Sequence, residues 1–240
     1  MFWFYERNQT PLGSYVGRTM ATKYFSLSFQ RSGTKSLNHA LVSVGIRSLH
    51  YPQLVDGKNY LRVVAPVWDR PNDVLDMLMP VIEAYDGHTD VPWPGLYSEI
   101  MARVPDSRFI LVTRDAENWW RSLARHWSLN IVGRKLSPFE RIQYRKYLSC
   151  DPRIVFGLKH KEILVKAYTQ HIEAVRRDIP PEKLLSIDLL DSEKENKLQE
   201  FLRSVRRPEF PRLGNQKDRY HPKRVVRNVV KRLSYQLLSF

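Results

Sequence analysis

A short apolar strand followed by a loop and then a helix recurs along this chain, and that alternation limits the fold more than any other feature. YFSLSF (24–29) reads as a buried strand, and the helical pattern after it places Leu37, Ala40, Leu41 and Val44 on one face. RFILVT (108–113) is the clearest strand, apolar and β-branched between polar neighbours, and it feeds a helix over about 117–127. KLLSID (183–188) is a third such strand, after a long helix over about 160–177 that Pro180 and Pro181 close. Further helices are expected at 71–85, with Pro71 at the start and a kink at Pro80, and at 190–205 and 222–238. Strands that alternate with helices build a mainly parallel sheet covered on both faces, so the expectation is one α/β domain of three layers. A core over about 22–215 would be followed by a basic segment at 216–240.

The loop between the first strand and its helix, QRSGTK (30–35), lies at a strand's carboxyl end and a helix N-terminus. Ligands bind α/β sheets there, because free backbone N–H groups and the positive end of the helix dipole converge on an anion. Arg31 and Lys35 add charge, Ser32, Thr34 and Ser36 add hydroxyls, and Gly33 lets the backbone approach closely. The Walker A pattern is not met: Ser28 stands where its first glycine belongs, and Lys35 follows Gly33 by two places rather than one. A second anion site is expected at the end of RFILVT, where Arg114 follows the strand and Ser122 lies two turns into the next helix. The plainer alternatives are solvated loop charges and an Arg114 paired with Asp115 or Glu117.

The two motifs together resemble the sulfotransferases that use 3′-phosphoadenosine 5′-phosphosulfate (PAPS), in the branch with a G-T-x-S-L loop and a later R-D-x-x-x-W-x-x-S segment. The matching stretches are Arg31-Ser32-Gly33-Thr34-Lys35-Ser36-Leu37 and RDAENWWRS (114–122). SLNHALVSVGIRSLHYP, DVPW, YTQHIEAV and FPRLGN extend the likeness over roughly 24–215. The resemblance implies a P-loop-like fold and transfer of a sulfuryl group from PAPS to a hydroxyl or amine, in line, without metal, releasing PAP. It further implies that residues 31–36 hold the 5′-phosphosulfate, that Arg114 and Ser122 hold the 3′-phosphate, and that the late basic residues Lys217 and Arg219 close over it. Many relatives carry lysine where Arg31 stands. Arginine does not give up a proton, so Arg31 would act as a fixed charge, and Lys35 would face the leaving oxygen.

A base for the acceptor's proton is sought beside the loop. Asp90, in YDGHTDVPW, ranks first and His50, in SLHYP, second. Asp90 as a turn residue and His50 as a structural histidine are the alternatives. Trp93, close to Asp90, is the tryptophan assigned to the acceptor pocket, and His171 is assigned to packing or to support behind the site residues. The acceptor class, whether carbohydrate, lipid-linked sugar or small phenol, has no readable code.

Charge and cysteine content bound the setting. The net charge is +14, and residues 203–240 hold eleven Lys/Arg against two acids. Residues 222–240 combine an apolar stripe with basic residues, which suits docking on the domain or peripheral contact with an anionic membrane. Cys150 is the one cysteine, which excludes an intrachain disulfide and fits a reducing, cytoplasmic compartment. Neither a signal-peptide pattern nor an apolar run of spanning length is present. CxxC and HExxH are absent, so no metal site is expected. Two other classes explain less: a P-loop kinase or hydrolase, which the loop's glycine–lysine order opposes, and a basic nucleic-acid-binding protein, which gives Arg114 and Ser122 no role.

Overall fold

A computed structural model describes residues 22–52, 55–130, 158–211 and 213, with backbone alone at 127–130 and 158–160. Five strands form one parallel sheet: β1 (Lys23–Ser26), β2 (Ser48–His50), β3 (Gly87–Thr89), β4 (Ser107–Thr113) and β5 (Leu184–Asp188), in the order β2-β3-β1-β4-β5. The helices are α1 (Thr34–Ser43), α2 (Tyr60–Val64), α3 (Pro71–Ala84), α4 (Tyr97–Arg103), α5 (Ala116–Asn130), α6 (Leu158–Asp178) and α7 (Lys194–Leu202). No described helix is long and apolar enough to cross a membrane.

The pleat of β4 sorts the two cores. Phe109 and Leu111 point into the larger core with Phe25, Leu75, Leu78 and Trp93, while Ile110 and Val112 point into the other with Leu37, Leu41, Leu198 and Leu202. Successive side chains of a strand face opposite ways, so an unbroken apolar run such as FILV is what a strand covered on both faces requires. This is the expected three-layer α/β architecture.

Several elements differ from expectation, each for a local reason. The first strand ends at Ser26, not Phe29, but the chain stays against β4: Leu27 N–H donates to Ile110 O at 2.9 Å and Ser28 Oγ accepts from Val112 N–H at 2.7 Å. A side chain there replaces a ladder carbonyl. Helix α3 matches its expected span, from Pro71 to Ala84 with Pro80 inside it. The helix expected over 190–205 is confined to Lys194–Leu202, because Asp188 and Asp191 turn the chain first by accepting from Leu190 and Glu193 N–H at 2.7 and 2.8 Å. Buried Lys23 at the sheet's amino edge donates to Tyr85 O at 2.9 Å and pairs with Asp86 at 3.1 Å, closing the end of α3. The helix expected over 222–238 lies outside the described residues.

Candidate active site

The carboxyl ends of all five parallel strands lie at one edge of the sheet, and β1 lies where the order reverses, between β3 and β4. Ligands of open α/β sheets bind at such a point. The loop after β1 turns through two left-handed residues, Arg31 (φ 70°) and Gly33 (φ 96°). Gly33 also begins α1 without a side-chain cap, and the first turn of α1 carries no acidic residue. The N–H groups at the head of a helix have no intrahelical partner, so this end suits an anion.

Residues after β4 hold the loop in shape. Trp119 Nε1 donates to Gln30 O at 3.0 Å, Arg31 Nε donates to Ser122 Oγ at 3.2 Å, and Arg114 Nη1 donates to Arg31 O at 3.2 Å. Tyr168 Oη accepts from Arg114 N–H at 3.0 Å and donates to Arg114 O at 3.2 Å, and its ring stacks on Trp119 at 4.3 Å. A left-handed arginine costs roughly 1–3 kcal/mol, and such conformations persist only where the surroundings over-determine them. Here Arg31 is held at both its side chain and its carbonyl. Arg31, Arg114 and Ser122, assigned to two separate anion sites from the sequence, therefore stand together in one cluster.

The other side of the α1 N-terminus carries the base candidates. Asp90 follows β3 in a left-handed conformation (φ 72°), before a cis Val91–Pro92 bond. Its Oδ1 accepts from Val91 N–H at 2.9 Å; its Oδ2 accepts from Thr34 Oγ1 at 3.5 Å and lies 3.3 Å from His50 Nε2. His50 is the last residue of β2 and sits opposite Thr89 in the ladder. Burial pushes the His50 pKa below its ordinary value; nearby Lys35 pushes the same way, and the Asp90 carboxylate opposes both. The Asp90 side chain is 16% exposed and that of His50 7%, so Asp90 is the outer member of the pair.

The remaining expected residues divide. Ser32, Thr34 and Ser36 are buried beneath the loop, and Lys35 is exposed. Ser36 Oγ accepts from Leu213 N–H at 3.3 Å, which brings the chain after α7 back to the start of α1. Lys217 and Arg219 lie outside the described residues. Trp93, assigned to the acceptor pocket from the sequence, is fully buried in the larger core, at 5.5 Å from the Phe25 ring and 4.9 Å from that of His88. His171 packs, as expected: it stacks on Phe29 at 4.2 Å and its Nε2 bonds Leu27 O at 2.7 Å. Sequence reading missed Trp119 and Tyr168 as supports of the loop. It also missed Asn38, although its place one turn after Thr34 on α1 put both on one helix face.

Comparison with known proteins bears on the same region. The family model described as sulfotransferase domain matches residues 23–219. Among solved structures, the sulfotransferase domain from the curacin biosynthetic pathway is 17% identical, with a TM-score of 0.46, covering 80% of this chain and 77% of that one. The sulfotransferase from Alicyclobacillus acidocaldarius is 11% identical, with a TM-score of 0.48, covering 89% of this chain and 94% of that one. No curated protein matches the chain. With the family model spanning the whole sheet and both sides of the loop, the chain belongs to the sulfotransferase domain family.

Proposed function

We propose that this domain transfers a sulfuryl group from PAPS to a hydroxyl or amine acceptor and releases PAP. The observation that carries the reading is the placing of two unlike clusters on either side of one helix N-terminus: Arg31, Arg114 and Ser122 on one, and Thr34, Asp90 and His50 on the other. An arginine pair with a hydroxyl suits a phosphate dianion, and a carboxylate–imidazole pair suits proton removal.

In this reading Arg31, Arg114 and Ser122 grip the 3′-phosphate. The first-turn N–H groups of α1, with Thr34, Lys35 and the Ser36 hydroxyl, hold the 5′-phosphosulfate. Because Ser36 Oγ accepts from Leu213, its own hydrogen is left to donate. Lys217 and Arg219 keep the assignment to the donor that the sequence resemblance gives them. The acceptor's O–H proton passes to the Asp90–His50 pair as its oxygen bonds sulfur. The bond from sulfur to the phosphate oxygen breaks, and its electrons stay on that oxygen. Lys35, exposed and close enough to His50 to lower its pKa, then faces the growing negative charge.

Thermal unfolding with PAP, ADP and ATP tests this. At about 100 times its dissociation constant PAP stabilises the fold by about 2.7 kcal/mol. ADP lacks the 3′-phosphate and shifts the midpoint less at equal concentration. Equal shifts with PAP and ADP would remove the role of Arg114 and Ser122, and a larger shift with ATP would favour a nucleotide kinase.

A further inference from the structure

Behind Asp90 and His50 runs a chain of hydrogen bonds that ends inside the domain. Ser48 Oγ donates to Asn38 Oδ1 at 2.8 Å, and Thr89 Oγ1 donates to the same oxygen at 3.3 Å. His50 Nδ1 lies 3.0 Å from Thr89 Oγ1, and His50 Nε2 lies 3.3 Å from Asp90 Oδ2. A threonine hydroxyl has one hydrogen. With that hydrogen on Asn38, Thr89 Oγ1 offers His50 only lone pairs, so Nδ1 must carry the proton.

We infer that Asn38 and Thr89 are positioning residues that hold His50 as its Nδ1–H tautomer and keep Nε2 open to receive the acceptor's proton. Two effects oppose one another here. A carboxylate beside Nε2 would by itself draw a proton onto that nitrogen. Yet an unprotonated Nδ1 would either set lone pair against lone pair across the shorter 3.0 Å contact or draw the Thr89 hydrogen away from Asn38, at a threonine with no exposure. Asp90 is partly exposed, and its charge is already shared with Val91 N–H and the Thr34 hydroxyl. The fully buried contact therefore decides the tautomer. Once Nε2 takes a proton, the imidazolium donates to Thr89 through one nitrogen and to Asp90 through the other. Every group is then satisfied, so the network favours the protonated state that forms as the acceptor loses its proton.

The inference rests on the proposed transfer reaction for its purpose, but its test does not. Long-range proton–nitrogen NMR spectra of the full chain labelled with ¹⁵N-histidine distinguish the two ring tautomers, and loss of a signal in His50→Gln assigns His50. At about pH 8, above the ordinary histidine pKa, the parent, Thr89→Ser and Asn38→Asp show a protonated Nδ1 and a bare Nε2. Thr89→Val removes the acceptor, and Asn38→Leu frees the Thr89 hydrogen to donate to Nδ1; in both, the proton moves to Nε2. Asn38, on the helix surface side of the chain, keeps the test open should the buried Thr89 variant not fold. A parent with its proton on Nε2, or an unchanged tautomer in both Thr89→Val and Asn38→Leu, overturns the inference. Failure to bind PAP with the tautomers as stated would instead remove the proposed donor and leave this network standing.

Discussion

Replacing Gly33 by alanine separates backbone strain from crowding at the loop. Gly33 stands at φ 96°, and a Cβ built there would lie 2.6 Å from Leu189 Cδ1. Gly45 at the other end of α1 has nearly the same φ of 91°, with nothing within 4 Å of its Cβ position. The left-handed conformation costs an L-residue about 1–2 kcal/mol, which Gly33→Ala and Gly45→Ala share. Only Gly33→Ala must also move Leu189. The atom in the way ends a side chain that is able to swing, so that part is about 0.5–1.5 kcal/mol, the cost of leaving a rotamer minimum. Strain thus dominates, and Gly33→Ala destabilises by about 1.5–3.5 kcal/mol against about 1–2 kcal/mol for Gly45→Ala. Adding Leu189→Ala to Gly33→Ala restores the crowding part alone, and urea unfolding of the four-member cycle reads it as a coupling of about 0.5–1.5 kcal/mol in favour of the double variant. Equal losses for Gly33→Ala and Gly45→Ala, together with an additive cycle, would refute the close packing of Leu189 on the loop.

Three other expectations concern titration and turnover. His88 is fully buried, stacked on Phe25 at 4.7 Å, and burial foremost pushes its pKa down to about 3. The folded state holds it neutral while the unfolded chain protonates it near 6.5, so its share of stability is intact above pH 6.5 and drains as pH falls toward 3. At pH 5 the loss is about 2 kcal/mol. His88→Phe keeps the stack, and Lys23 still serves the Tyr85 carbonyl. The variant should therefore unfold near the parental midpoint at pH 8 and clearly above it at pH 5; parallel pH dependences would show that His88 is not held neutral. At the site, Asp90→Asn should lower single-turnover transfer to a working acceptor on the order of 10²–10⁴-fold with PAP affinity near the parent's. Lys35→Ala should likewise lower turnover more than PAP affinity, and equal losses would mean that Lys35 binds ground and transition states alike.

What the chain alone disclosed lies in its strongest local signals. FILV in β4 is apolar without alternation, which suits a strand covered on both faces, and the strand–loop–helix unit around Gly33 has the residue types expected of an anion-binding turn. Arg114 and Ser122 were legible because a strand and two helical turns fix their separation. The edge strand Ser48–His50 and its inner neighbour Gly87–Thr89 carry no readable period of their own: three residues are too few, and they are strands only through their ladders with each other and with β1. The same ladders bring His50 and Asp90, forty residues apart, within 3.3 Å. The β1–β4 pairing likewise sets Arg31 against Ser122 instead of leaving the two in separate sites. Trp93 lies three positions after Asp90 yet is buried in the core, while Asp90, in a left-handed turn, stays partly exposed. Local composition determines which segments become strands, helices and turns; the order in which strands pair decides which distant side chains meet, and no local pattern encodes that order.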